Sequence, residues 1–136
     1  MPILFISGNV NQNTCTNYIK RSKGIKLRTY GIQEHDIIST VKDITKFSAF
    51  VDKAEDIPKL MQLAISASLS GRKGPVWLDI PSNIQSSMLQ SVYKIKKPAL
   101  EKKKTSDFEA LEQAINSSHR PLILAGGGIR QSGNVN

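Results

Sequence analysis

Ser70-Gly71-Arg72-Lys73-Gly74-Pro75-Val76-Trp77-Leu78-Asp79-Ile80-Pro81 decides the layer architecture of this chain. Gly71 and Gly74 flank a turn, where one of them is expected to take a positive φ. Pro75 to Pro81 is an apolar run whose flanking prolines fix the ends of a strand. Just upstream, Ile57, Leu60, Met61, Ala64 and Ala67 recur at helical spacing, with Pro58 in the first turn and Gly71 past the end, which predicts an amphipathic helix over Glu55–Ser70. Further back, Phe47, Ala49 and Val51 alternate with Lys46, Ser48 and Phe50, which predicts a short strand over Ile44–Val51. Ile32, Ile37, Ile38 and Val41, with Glu34 and Asp36 near the start, predict a helix over about Gln33–Lys42. Pro2 to Ile6 is a continuous apolar run ending in Ser7-Gly8, as expected of a strand buried on both faces. The polar stretch from Asn9 to Tyr30 reads as a long surface loop with a helical turn near Asn17–Arg21. Strand, helix, strand, helix, strand argues for an α/β layer with a partial parallel sheet and flanking helices.

The alternation stops beyond Gln90. Between Tyr93 and Thr105 six lysines stand against Glu101, so this run supplies +5 of the formal charge of +8. It contains Pro98 and no aromatic residue to stack on bases, so it reads as a solvated basic linker and not as a nucleic-acid tract. A second unit opens at Ser106-Asp107-Phe108-Glu109, a capping box starting a helix to about Ser118. Pro121 to Ala125 is expected to be another buried strand, running into Gly126-Gly127-Gly128. The 136 residues suit one domain, or one domain and part of another. The expected organisation is the rear of one α/β domain over residues 1–90, a linker over 91–105, and the opening of a second domain over 106–136. No apolar run reaches bilayer-spanning length, the N-terminal stretch lacks the build of a secretory signal, and Cys15 is the single cysteine, so a cytoplasmic setting without a disulfide framework is expected.

Five stretches, in order, resemble the thiamine-diphosphate-dependent enzymes of the acetolactate synthase type. Pro2 to Val10 looks like the mid-domain strand and turn of the pyrimidine-binding domain, followed by Gly31-Ile32-Gln33-Glu34 with Asp36-Ile37. Thr45-Lys46 comes next, and Ser70 to Gln85 is the most specific run. Arg120 to Ile129 is similar to the first strand and loop of the family's central, Rossmann-like domain. The Asn11–Arg28 loop is longer than in biosynthetic acetolactate synthases and looks more like a subgroup from surface-sugar biosynthesis. Ile32 replaces the usual aromatic residue before the glutamine.

The resemblance implies an incomplete thiamine-diphosphate-binding fold and, for the intact enzyme, thiamine diphosphate and Mg2+, a 2-oxo acid substrate, and a homodimer or homotetramer with neither nucleic acid nor membrane as partner. FAD is a further cofactor that some members hold against the glycine loop and others lack. It also implies a glutamate upstream of Met1 and a Gly-Asp-Gly motif downstream of Asn136. Neither device is in the sequence, so no catalytic residue and no metal ligand is expected here and the segment alone should be inactive. Gln33 would approach the thiazolium or substrate, where a neutral amide donates to an oxo-acid oxygen, or else it caps its helix. Lys46 would lie near the substrate channel and attract a carboxylate, or else it is a solvated strand-edge lysine. Gly126, Gly127 and Gly128 would let backbone approach FAD or a nucleotide. Asp79 is expected to cap local backbone N–H groups, and Trp77 to belong to the core. A free-standing nucleotide-binding α/β module and a basic nucleic-acid-binding protein are the competing readings.

Overall fold

A computed structural model describes residues 1–89 and 108–132. The chain divides into two units, Met1–Leu100 and Glu101–Asn136. The first holds a three-stranded parallel sheet in the order β1 (Ile3–Asn9), β3 (Pro75–Pro81), β2 (Phe47–Phe50). The register places Ser7 beside Asp79 on one side of the central strand and Phe50 beside Asp79 on the other. Helix α3 (Ile57–Leu69) supplies the covering layer, entered through a 3₁₀ turn at Ala54–Asp56. Ala64 packs with Val76 and Leu78, joined by Leu4, Phe47, Ala49, Met61 and Ala67. A second cluster of Val51, Ala54 and Ile84 gathers Ile57 and Ile80, and Leu60 belongs to both. All five residues of the predicted helix stripe therefore face the core, each full burial contributing about 1.5–3 kcal/mol for a large aliphatic side chain.

Three elements differ from the sequence expectation. β1 is the edge strand of the described sheet and is not buried on both faces: Ile3, Phe5 and Ile6 are 38, 40 and 56% exposed, because, of this strand, only Leu4 joins the clusters packed under α3. The helix expected over Gln33–Lys42 is confined to α2 (Ile37–Val41), since Asp36, with Oδ1 accepting from Ser39 N at 3.1 Å, is its N-cap. Inside the long polar loop lie a 3₁₀ turn at Gln12–Thr14 and α1 (Thr16–Lys23), which Gly24 ends at φ +69. Gly71 takes the expected positive φ of +48, whereas Gly74 packs closely on Lys46: a Cβ there would stand 2.8 Å from Lys46 Cδ and would oblige that side chain to shift. A short α4 (Ser82–Gln85) follows β3.

The second unit contains α5 (Phe108–Ser117) and α6 (Gly128–Ser132). Its described residues are all exposed, so Phe108, Leu111 and Ile115 form a helix stripe without a core. The strand expected at Pro121–Ala125 does not form; Leu122, Ile123 and Leu124 are 90, 81 and 94% exposed, and among the described residues of this unit there is no strand to complete a ladder with it. The basic linker, and Ser106 and Asp107 of the capping box, lie outside the described residues. Among the described residues no helix is long and apolar enough to cross a membrane.

Candidate functional site

Parallel strands end at a common edge, and α/β sheets hold ligands at their carboxyl ends. Here that edge opens into a cavity of about 890 Å³, walled by Asn9 of β1, Ser48 to Phe50 of β2, Asp79 of β3, α1, and the segment entering α2. At its floor Asp79 is 1% exposed. Its Oδ1 accepts from Ser7 Oγ at 2.6 Å and its Oδ2 from Asn9 Nδ2 at 2.7 Å. Ser7 Oγ in turn accepts from Trp77 Nε1 at 2.8 Å, and Trp77 stacks on Phe5 with ring centroids 4.8 Å apart. The expectation that Asp79 caps backbone N–H groups is thus corrected. Strand register sets Ser7 directly beside it and Asn9 two residues on, and both side chains reach the carboxylate first.

The cavity's outer wall is closed by a second carboxylate. Glu34 accepts from the backbone N–H and the hydroxyl of Thr16, from Tyr30 N at 3.0 Å and from Gly31 N at 3.4 Å. The first residue of α1 is thereby tied to the turn at 30–34, with the anion placed at the positive helix end. Burial pushes the Glu34 pKa up, but the hydrogen bonds from Thr16, Tyr30 and Gly31 outweigh it and leave it below the usual 4.5. Asp36 is likewise lowered, burial being outweighed by its bonds from Ser39 and Asn17 and by His35. Cys15, 4% exposed beneath this wall, is pushed up to about 11 by burial and by the charges of Glu34 and Asp79, so its thiol is protonated and inert at neutral pH. Lys20, Arg21 and Arg28 add cationic groups, of which Arg21 is held on Asp52 at 2.8 Å and over the Phe50 ring.

Of the residues singled out in the sequence, Gln33 precedes Glu34 in the chain but is not among the residues lining the cavity. It is exposed, and among the described residues it is the single non-glycine with a positive φ, +63. It does not cap α2; Asp36 does. Lys46 stands at the opposite, amino edge of the sheet, with its ammonium on Ser70 O at 2.5 Å, closing the end of α3. Gln33 and Lys46 are therefore not brought together. Gly126, Gly127 and Gly128 lie in the second unit at the start of α6, and a Cβ added to any of them would meet nothing within 4 Å. Glu34 and the Ser7–Asn9–Asp79 group were missed as site-building residues, since their contacts span 18 residues and about 70 residues respectively.

Among the described residues no three His, Cys, Asp or Glu side chains come together to hold a metal ion. Each oxygen of Asp79 and Glu34 accepts from at least one donor of this chain, and among the described residues the two carboxylates are not joined by a third ligand. The residues present do not by themselves fit a magnesium–diphosphate group. What they build is a preorganised polar wall at the ligand edge of an open parallel sheet.

A parallel α/β layer with its cavity at the strand carboxyl ends is the architecture of a large class of cofactor- and nucleotide-using proteins. No family model matches the chain. Curated relatives do: it is 36% identical over 116 residues to acetolactate synthase 1, chloroplastic, of Oryza sativa subsp. japonica, covering 77% of this chain and 17% of the relative. Acetolactate synthase isozyme 1 large subunit of Escherichia coli is 33% identical over 107 residues, 74% of this chain and 18% of the relative. The acetolactate synthase large subunit of Corynebacterium glutamicum is 33% identical over 108 residues, 76% and 17%. The chain belongs to the acetolactate synthase type family, and it spans less than a fifth of the length of these relatives.

Proposed function

We propose that this chain is a segment of a thiamine-diphosphate-dependent enzyme that decarboxylates a 2-oxo acid and transfers the resulting carbanion, as an acetolactate synthase does, and that the segment alone is inactive. The observation carrying this reading is the match to acetolactate synthases over about three quarters of the chain at under a fifth of their length. It is supported by the ligand-edge cavity and by a sequence with no Gly-Asp pair in 136 residues. Residues 1–90 would be the rear of the pyrimidine-binding domain, 91–105 a linker and 106–136 the start of the central domain. Thiamine diphosphate with Mg2+, held by groups outside this chain, supplies the carbanion chemistry. This chain's part is to wall the site. Gln33 would donate its amide to an oxo-acid oxygen without adding charge. Lys46 would have to release Ser70 O before it could attract a carboxylate. The open face of Gly126 to Gly128 suits close approach of a flavin or nucleotide. The intact enzyme would be a cytoplasmic homodimer or homotetramer.

Calorimetry of the 136-residue chain with thiamine diphosphate and Mg2+, together with an assay of pyruvate consumption, tests this. Neither binding nor turnover is expected from the chain alone. Saturable cofactor binding or steady decarboxylation by it would overturn the reading. So would a coding sequence around it that lacked an upstream strand-end glutamate and a downstream Gly-Asp-Gly.

A further inference from the structure

The turn at 30–34 is built against resistance. Gln33 sits at φ +63, where a side chain with a Cβ is disfavoured, and Asn, Asp or Gly would be the ordinary occupants. Gly31 is pressed so closely on the end of the 3₁₀ turn that a Cβ would stand 2.3 Å from Thr14 O. On the near side, Glu34 gathers four donors from Thr16, Tyr30 and Gly31. Thr16 Oγ also accepts from Tyr30 N at 2.7 Å, so its own proton is committed to Glu34. On the far side, His35 O accepts from Asn9 Nδ2 at 3.0 Å, and Asn9 is itself held by Asp79. Gln33 therefore lies between the Tyr30–Gly31 amides, held by Glu34, on one side and the anchored Glu34–His35 pair on the other, while making no hydrogen bond of its own among the described residues.

We propose that Glu34 is a positioning residue: its carboxylate clamps the turn at 30–34 onto the start of α1, and this clamp holds Gln33 in the left-handed conformation that fixes where its amide is presented. The significance for substrate binding rests on the reading of Gln33 given above; the clamp itself does not. A carboxylate is needed because every partner is a donor. An amide in its place would turn an NH2 group on at least one of them. Strained backbone persists where surrounding contacts over-determine it, and the clamp is that surrounding.

The test is nuclear magnetic resonance on the 136-residue chain with no cofactor or substrate present, comparing wild type with Glu34→Gln, Gln33→Gly and the double variant. In wild type the strong intraresidue N–H to Hα contact of a positive φ is expected at Gln33. In Glu34→Gln it should weaken, and hydrogen-exchange protection of the Thr16, Tyr30 and Gly31 amides should fall by about 10- to 100-fold, the loss of hydrogen bonds to a charged group. The buried Leu78 amide should keep its protection. Gln33→Gly, which relieves the strain, should return about tenfold of protection to the same amides in the double variant. Thr16→Val, which removes the shared hydroxyl, should lower Tyr30 and Gly31 protection in the same manner and serves if Glu34→Gln folds poorly. Unchanged protection in both variants, a Gln33 that stays left-handed without the carboxylate, or Leu78 losing protection along with the turn would each overturn the proposal. Failure of an enzyme containing this segment to process 2-oxo acids would instead sink the functional reading and leave the clamp standing.

Discussion

Replacing Asp79 by alanine should cost the first unit about 3 kcal/mol, and the structure shows how that figure arises. The carboxylate is 1% exposed and accepts two hydrogen bonds, from Ser7 Oγ at 2.6 Å and Asn9 Nδ2 at 2.7 Å. A hydrogen bond to a charged group contributes about 1.5–3 kcal/mol net. The lower end applies here for two reasons. Asn9 keeps its bond to His35 O, and Ser7 keeps the one it accepts from Trp77, so neither partner is fully orphaned. Removing the buried charge also recovers part of its desolvation cost, which offsets the small void left behind. Asp79→Asn should cost less, about 1–2 kcal/mol. Its oxygen can still accept from Asn9 and its amide can donate to Ser7 Oγ, but the Ser7 proton then has no acceptor.

Trp77 is the single tryptophan of the chain, stacked on Phe5 and bonded to Ser7, so its fluorescence reports on this unit alone. In urea, with a slope of about 2 kcal/mol per molar, the Asp79→Ala midpoint should drop by about 1.5 M and that of Asp79→Asn by about half as much. In a Ser7→Ala background the Asp79→Ala loss should shrink by about 1.5 kcal/mol, because one of the two bonds is already gone. An Asp79→Ala midpoint within about 0.3 M of wild type would refute the argument, showing the network to be energetically neutral. Equal losses for alanine and asparagine would refute the hydrogen-bond accounting.

Gly31→Ala should cost about 2–3 kcal/mol or release the turn at 30–34, since the new Cβ would lie 2.3 Å from a backbone oxygen that cannot rotate away; exchange at the Tyr30 and Gly31 amides reads it, and wild-type protection would contradict it. Native Cys15 should react with iodoacetamide at least about 100-fold more slowly than in urea, because its pKa of about 11 against the ordinary 9.0 leaves little thiolate and burial blocks access; mass spectrometry of the alkylated fraction decides. The lowered pKa values of Glu34 and Asp36 mean that their stabilisation is in place above the usual values of 4.5 and 3.8 and is lost as pH falls through the lower folded values. Protection of the Tyr30 amide should therefore decline in acid below about 4.5, and this decline should be flatter in Glu34→Gln.

The parts of the fold that rest on local periodicity were legible. The stripe from Ile57 to Ala67, the prolines bounding β3 and the glycine turn at Gly71 to Gly74 each state their structure within a dozen residues, and α3, β3 and the turn follow. What escaped depends on register. Asp79 inside an apolar run and Ser7 at the end of another are each locally odd, and only the parallel pairing that sets them side by side turns two oddities into one hydrogen-bonded floor. The same holds for Glu34, whose charge near an apolar periodic segment reads as a first-turn residue of a helix; its partner Thr16 is 18 positions away on a helix hidden in a polar loop. Burial of β1 failed for a related reason, since an apolar run encodes the capacity to be covered and its neighbours decide the covering.

The two hydrogen-bonded groups that escaped share a location, whereas the exposed β1 residues and the unformed Pro121–Ala125 strand lie elsewhere. The Ser7–Asn9–Asp79 floor and Glu34 lie on the carboxyl edge or the turn that walls it, where a positive φ at Gln33, a forced glycine at 31 and two hydrogen-bonded carboxylates replace the regular propensities that govern α3 and β3. Local rules fail where structure is spent on presenting a group to a ligand. At the opposite edge the special positions, Gly71 at positive φ and Gly74 against Lys46, serve the turn that ends α3, whereas at the carboxyl edge they gather around one cavity.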